Sequence, residues 1–354
     1  MRLQSLALIC LCASFGLLII GRRHIRDLFE IGRTYSTYHA FVRNHDDILY
    51  RYPSGKESDF NQSLTNDRRQ EQAPRIIHQI FLTNGRNGSI SNYVPAINAC
   101  KHLHSSWDYK LWTDVNATAF MREHYPEIAP HYQGYRQSIQ RANILRYALL
   151  HHYGGVYLDL DVTCLVPLDS LLDLPLITPG AYPAGVNNAF ILARPHHPFL
   201  DRLIQTAPSR DIRWPLPYVE NMLSTGCMFF TNRWMDHIRS LGSNGSAITS
   251  DRVAILADKD GDMSTHMLRG KVTTPLFIHG GSSSWHGWDA AVILLIGQHY
   301  ILFCVGFFFM LSVVGVASWG FARYTTATGR RLSKSHGWPN QQGDQERMLV
   351  DKGD

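Results

Sequence analysis

Almost wholly apolar runs stand at both ends of the chain, Leu3 to Ile20 and within Ala290 to Phe321, and shorter patterns fill the space between them. Short dense runs of β-formers predict buried strands, and apolar residues at steps of three and four predict helices. Arg75 to Phe81 (RIIHQIF) reads as a first strand, Tyr93 to His104 as a helix, and Trp107 to Trp112 as a second strand ending in Thr113-Asp114. Ala117 to Tyr125 follows as a helix. Ile144, Leu145, Ala148 and Leu149 mark one apolar face of the next helix, and Gly154-Gly155 stops it. Glycine takes the left-handed conformation that a helix end needs. Val156, Tyr157 and Leu158 form a short buried strand behind the glycines.

Leu165 to Leu172 reads as a turn and short helix, Asn188 to Ala193 as a strand, and His197 to Thr206 as a helix, with Pro198 in its first turn. Tyr218 to Thr231 passes from a helix through Ser224-Thr225-Gly226 into an apolar strand. Val253 to Leu256 and Leu276 to His279 are further short strands. Strand, helix, strand in succession implies parallel βαβ units, so the expected class is α/β, with a central mixed, mainly parallel sheet.

The two ends imply a membrane. Residues 1–21 read as an uncleaved signal anchor, and residues 22–73 as a polar, partly helical stem and linker. The globular part is expected over 74–288. Residues 289–321 read as a C-terminal membrane segment with its core at 301–319, roughly 28 Å at about 1.5 Å per residue. Residues 322–354 form a basic tail, which by the positive-inside rule is cytoplasmic. Arg22, Arg23 and Arg26 follow the first apolar run and point the other way. Four N-x-S/T sequons, at Asn61, Asn87, Asn116 and Asn244, all lie between the runs and favour a lumenal domain.

Of the 354 residues 45% are hydrophobic and 18% charged, enough for one large core with appendages. Net charge is +5, but Arg323, Arg330, Arg331 and Lys334 sit in the tail, so no nucleic-acid footprint is indicated. Cys10, Cys12 and Cys304 lie in apolar runs. Cys100, Cys164 and Cys227 lack metal-ligand spacing and allow one disulfide with one thiol left over.

Asp159 and Asp161 change the picture. Period-two alternation at the end of a buried strand points both carboxylates to one side. Two such charges need neutralising, and a divalent cation shared with a substrate's phosphates does this well. Hard oxygen ligands suit Mn²⁺ or Mg²⁺. Arg146 lies three residues after Asn143 on one helix face, where its guanidinium can fork onto hydroxyls or phosphate oxygens. Phe277 to Asp289 (FIHGGSSSWHGWD) offers a glycine- and serine-rich loop of the kind that cradles anions, and His279 or His286 as a metal ligand or a cation for a diphosphate. Asp114 touches nucleotide or caps the next helix.

The stretch from Arg141 to Asp161, RANILRYALLHHYGGVYLDLD, resembles the D-x-D region of glycosyltransferases with a DXD sugar-binding motif. It departs at Asn143, where that family usually has Asp. Further matches narrow the resemblance: Pro74 to Gln79, Cys100-Lys101, Tyr109 to Asp114, Ile139 to Ala142, Ser224-Thr225-Gly226 and Gly280 to Gly287. Over about residues 74 to 320 the chain is similar to the fungal inositol phosphoceramide mannosyltransferases of glycosyltransferase family 32. The resemblance implies a nucleotide-sugar-binding domain of the GT-A type, flanked by transmembrane helices, in a Golgi membrane or another secretory-pathway or vacuolar membrane. It implies GDP-mannose as donor, inositol phosphoceramide as acceptor, retention at the anomeric carbon, and a regulatory membrane subunit as a further partner. It assigns Asp159, Asp161 and His279 to the metal, and Asn143, Arg146, His78, Asp159 and His286 to the donor, with Asp159, Asp161 and Arg146 catalytic. A glycan mannosyltransferase of the same family and a non-catalytic subunit are the alternative readings, the second motivated by Asn143.

Overall fold

A computed structural model describes residues 2–52, 72–83, 88–241, 251–282 and 286–335, without the side chains of residues 2–20 and of some others near the C-terminus. Its strands are β1 (Leu49–Arg51), β2 (Ile76–Phe81), β3 (Asp108–Thr113), β4 (Gly155–Leu158), β5 (Val162–Cys164), β6 (Leu176–Pro179), β7 (Phe190–Ala193), β8 (Ala254–Ala257), β9 (Val272–Thr273) and β10 (Phe277–His279). Its helices are α1 (Arg2–Asn44), α2 (Val94–Leu103), α3 (Asp114–His124), α4 (Ala129–Gly134), α5 (Ser138–Tyr153), α6 (Pro198–Arg210), α7 (Pro217–Ser224), α8 (Cys227–Leu241), α9 (Trp288–Gln298) and α10 (Tyr300–Ser335).

Seven strands form one sheet in the order β1-β8-β6-β7-β4-β2-β3. Only β7 runs antiparallel to its neighbours, so the sheet is mixed and mainly parallel, as the βαβ pattern predicts. All four residues of β4 are buried. Val156 and Leu158 join one core cluster and Tyr157 the other, which is why the strand reads as an unbroken apolar run. A small second sheet, β5-β10-β9, brings the segment after Asp161 against the segment before Gly280.

Three expectations change. The globular unit does not begin at Pro74. Tyr38, Phe41 and Val42 of α1 are buried in the main core, and β1 pairs in parallel with β8 at the sheet edge. The apolar run after Gly226 is the helix α8, not a strand. Phe230, Trp234 and Ile238 recur at helical spacing and are buried, but adjacent Met228 and Phe229 also pack, which hides the period. Asp159 and Asp161 lie in a tight turn between β4 and β5, with Val162 N–H donating to Asp159 O at 3.1 Å, so the alternation argument does not hold there.

The chain divides at Asp289 into a large unit and a second one, residues 290–354, which holds α10 and most of α9. Among the described residues no helix is long and apolar enough to cross a membrane. The flanking transmembrane helices are therefore not part of what the fold shows. The expected N-terminal span falls on backbone whose side chains lie outside the description. The expected C-terminal core falls in α10, where Phe303, Phe307, Phe308 and Phe309 are exposed. Trp285 and the sequons at Asn61, Asn87 and Asn244 lie outside the described residues. Asn116 caps α3.

Candidate active site

Helix α5 supplies the first half of the site. Gln137 and Gln140 close its N-terminus as a reciprocal box, and Gly154 closes its C-terminus at φ +66°. A Cβ on Gly154 would lie 2.7 Å from Pro195 N, and one on Gly155 2.6 Å from Ile76 O, so the turn into β4 admits only glycine at both positions. That turn fixes the relation between Arg146 on α5 and the D-x-D beyond β4.

Arg146 is buried, and its Nη1 stands 3.1 Å from Asp159 Oδ1 and donates to Asn188 O at 2.7 Å. Its guanidinium lies 4.4 Å above the Tyr157 ring. Tyr157 in turn donates its hydroxyl to Asp159 Oδ1 at 2.6 Å. Burial pushes the Asp159 carboxyl up, and Arg146 and the Tyr157 hydrogen bond offset this only in part. Burial works most strongly against the charge on Arg146, but Asp159 together with Tyr157, Tyr147 and Cys227 outweighs it and holds the guanidinium above its ordinary range.

The second half comes from the β10 exit. Asp161 Oδ2 accepts from Ser282 N–H at 2.9 Å and from Ser282 Oγ at 2.6 Å. Gly280 N–H donates to Asp161 O at 2.8 Å. His279 Nε2 stands 3.7 Å from the same Asp161 oxygen, and His279 Nδ1 lies 2.6 Å from Gly270 O. A carbonyl only accepts, so Nδ1 carries a proton, and Nε2 is the nitrogen turned toward Asp161. A disulfide between Cys100 and Cys164 ties α2 to β5, the strand leaving the D-x-D, and Cys227 is the thiol left over.

No three His, Cys, Asp or Glu side chains among the described residues gather closely enough to hold an ion alone. The donor chemistry nevertheless fits a divalent cation that takes further ligands from a diphosphate. Among the described residues Asp159 Oδ2 and Asp161 Oδ1 make no hydrogen bond or ion pair, and His279 Nε2 stands 3.7 Å from Asp161 Oδ2. The backbone bond on Nδ1 is the usual support of a ligating imidazole.

Asn143 lies inside a cage of neutral groups. Its Nδ2 donates to Asn221 Oδ1 at 3.0 Å and to Thr225 Oγ1 at 3.2 Å, while its Oδ1 accepts from Asn188 Nδ2 at 3.2 Å. Asn188 also donates to the Tyr147 hydroxyl at 2.8 Å, and Tyr147 donates to Thr225 O at 2.9 Å. The loops at Asn188 and at Ser224-Thr225-Gly226 thus converge on Asn143. The sequence placed Asn188 at the start of a strand and Ser224-Thr225-Gly226 between two elements but gave no sign of this meeting point, and it marked Tyr157 as a strand former only.

His78 is placed differently from the expectation. It is fully buried, its Nε2 donates to Gly154 O at 3.0 Å, and its Nδ1 accepts from Trp112 Nε1 at 3.2 Å. Both nitrogens are used, so it braces β3 and the α5–β4 turn and has none left for a nucleotide. His286 stands edge-on to Tyr218 at 5.3 Å, and burial lowers its pKa against the pull of Asp289. Asp114 receives Thr83 N–H at 2.8 Å and the Thr83 hydroxyl at 3.1 Å, fastening the β2 exit to α3.

Comparison with known proteins gives the family. Residues 91–175 match the family described as "Glycosyltransferase sugar-binding region containing DXD motif". Inositol phosphoceramide mannosyltransferase 2 of Schizosaccharomyces pombe is 34% identical over 244 residues, 68% of this chain and 66% of that protein. Mannosyl phosphorylinositol ceramide synthase CSH1 of Saccharomyces cerevisiae is 32% identical over 273 residues, 75% of this chain and 67% of that protein. Inositol phosphoceramide mannosyltransferase 3 of Schizosaccharomyces pombe is 32% identical over 74% of this chain and 70% of that protein. The alignments thus span about two thirds of each relative's length. A chain titled "PaToxG Glycosyltransferase" superposes at TM-score 0.38 with 15% identity, over 63% of this chain and 82% of that one, too low to carry an argument. The protein is a glycosyltransferase of the DXD-motif family and belongs among the inositol phosphoceramide mannosyltransferases.

Proposed function

We propose that the chain transfers mannose from GDP-mannose to inositol phosphoceramide with retention at the anomeric carbon. The observation that carries the reading is the convergence of Arg146, Asp159, Asp161 and His279, from α5, the β4–β5 turn and β10, on one acidic and basic site. The printed names of the relatives supply the acceptor class.

Asp159, Asp161 and His279 would hold Mn²⁺ or Mg²⁺, which supplies positive charge against the diphosphate of the donor. Arg146 presents a fixed guanidinium beside Asp159 and keeps that carboxylate in place through the Tyr157 and Asn188 contacts. Ser282 orients Asp161 through its N–H and hydroxyl. The acceptor hydroxyl attacks the face that the GDP leaves, and the departing phosphate takes its proton. The catalytic unit works in the lumen of a secretory membrane, held by apolar segments at both ends. The exposed phenylalanines of α10 support such a hold, and Trp288 at the start of α9 is 72% exposed.

The test is a donor and acceptor panel with the purified full chain. GDP-mannose with inositol phosphoceramide is expected to give product, and UDP-sugars or soluble glycans little or none. Preferential transfer to a glycan would overturn the acceptor assignment. Preference for another sugar nucleotide would overturn the donor assignment and point to Asn143 as its cause.

A further inference from the structure

Arg269, Gly270 and Lys271 stand exposed just before β9, and the donor site uses only the glycine. Gly270 O accepts from His279 Nδ1 at 2.6 Å. A Cβ on Gly281 would lie 2.4 Å from the Gly270 carbonyl carbon and 2.6 Å from Lys271 N, so the two backbones touch next to Ser282, the partner of Asp161. On the other side Leu268 O accepts from Asn187 Nδ2 at 3.1 Å. Asn187 Oδ1 accepts from Ala189 N–H at 2.7 Å, and Ala189 O from Asp159 N–H at 2.8 Å. The segment is thus fastened to both halves of the D-x-D site, with Arg269 between the two anchor points. The Arg269 guanidinium lies 3.7 Å from the centre of the Tyr182 ring, which the β6–β7 connection carries at 61% exposure. That contact spends none of the five N–H donors on an oxygen. Among the described residues neither Arg269 nor Lys271 makes a hydrogen bond or an ion pair.

We propose that Arg269, with Lys271 beside it, binds the phosphodiester of the acceptor and so selects an anionic inositol headgroup. This assignment rests on the inositol phosphoceramide reading and adds to it the residues that recognise that substrate. The reaction brings two anions together, the donor diphosphate and the acceptor phosphodiester, and like charges repel most where water is excluded. The donor's charge already has partners in Arg146 and in the cation that Asp159, Asp161 and His279 would hold. The acceptor's charge has none among those residues. Its phosphodiester sits on the same inositol ring as the hydroxyl that receives mannose, so its counter-charge belongs at the edge of the donor site, where this segment is anchored. A guanidinium fork meets two phosphate oxygens with two parallel N–H bonds, and an ammonium adds a point charge. Contact with Tyr182 holds the fork in place beforehand, so less freedom is lost on binding.

The test titrates glycerophosphoinositol, a soluble phosphodiester of inositol, into the purified full chain with Mn²⁺ and GDP, read by calorimetry. Arg269→Gln is expected to raise its Kd about tenfold, the factor that about 1.4 kcal/mol represents, and Lys271→Gln about threefold. Arg269→Lys, which keeps the charge without the fork, should fall between the parent and Arg269→Gln. Affinity for GDP with Mn²⁺ should be the same in all four proteins. Equal glycerophosphoinositol affinity in the parent and Arg269→Gln overturns the proposal, as does no binding by the parent. A matching loss of GDP affinity in Arg269→Gln also overturns it, since the arginine then serves the donor. So does displacement by inorganic phosphate at equal concentration, which marks a free-phosphate site. Mannose transfer to inositol phosphoceramide, measured on the same proteins, tests the proposed function separately. Headgroup binding that depends on Arg269 without transfer sinks that function alone. Transfer with an unchanged acceptor KM in Arg269→Gln sinks this assignment alone.

Discussion

Removing Arg146 probes the buried pair at the centre of the site. Arg146 is 3% exposed and Asp159 31%, with 3.1 Å between them. In Arg146→Leu the leucine keeps the apolar contact with Tyr157, but Asp159 stays in a low-dielectric pocket without its counter-charge. Breaking a buried pair in this way costs about 3–5 kcal/mol, and the partial exposure of Asp159 places it near the lower end, about 3 kcal/mol. For a unit of this size that lowers Tm by roughly 6–12 °C. Arg146→Leu with Asp159→Asn removes the stranded charge as well. We expect the double variant to regain about 2 kcal/mol over Arg146→Leu, with Asn188 O, which loses its donor, accounting for the remainder. Thermal and denaturant unfolding of the four proteins of the cycle give the coupling directly. Activity should be lost in all three variants, so stability and function separate. If the double variant were less stable than Arg146→Leu, the idea that charge balance dominates here would be refuted.

Other outcomes follow from the same geometry. Burial lowers His78 to about 4 and His197 to about 3, so the unfolded chain binds protons below pH 6.5 while the folded chain refuses them. Their stabilising contribution is present above pH 6.5 and is lost as pH falls toward the folded values, about 2 kcal/mol each by pH 5; unfolding at stepped pH should show this, and His78→Gln should flatten the slope. Ser282→Ala removes a 2.6 Å bond to Asp161 and should weaken Mn²⁺-dependent GDP binding by roughly 10–100-fold, read by calorimetry, with Tm nearly unchanged. Asn143→Asp replaces the amide that donates to Asn221 and Thr225 by an acceptor, and should reduce stability by about 1–3 kcal/mol in the same unfolding assay. Gly155→Ala sets a Cβ 2.6 Å from Ile76 O at φ +96°, and should yield little folded protein on expression.

Much of the site is legible in sequence because its signals are local. Arg146, Gly154, Gly155, Asp159 and Asp161 stand within one short stretch whose periodicity switches from helical to extended. His279 is legible because a strand ends there in a loop of glycine and serine. The rest depends on contacts that close over long separations. Asn143 reads as a departure from the family pattern, but its cage comes from Asn188, Asn221 and Thr225, which no local pattern joins to it. β1 has three residues and pairs with a strand about two hundred positions later, too little for periodicity to mark. The inner half of α1 looks polar because its charges are spent on Arg210 and Arg233 rather than on water. His78 misleads for the opposite reason: a histidine in a strand reads as chemistry until both of its nitrogens are seen to be used.

The central claim is that the D-x-D turn and the β10 exit form one donor site. Its most direct measurement is transfer of labelled mannose from GDP-mannose to inositol phosphoceramide by the purified full chain, with Mn²⁺ and with EDTA. Asp159→Ala, Asp161→Ala and His279→Ala, each confirmed as folded, run beside the parent. The account predicts product only for the parent with metal, and a deep loss in all three variants. Product formed equally in EDTA, or retained by Asp161→Ala and His279→Ala together, would contradict it.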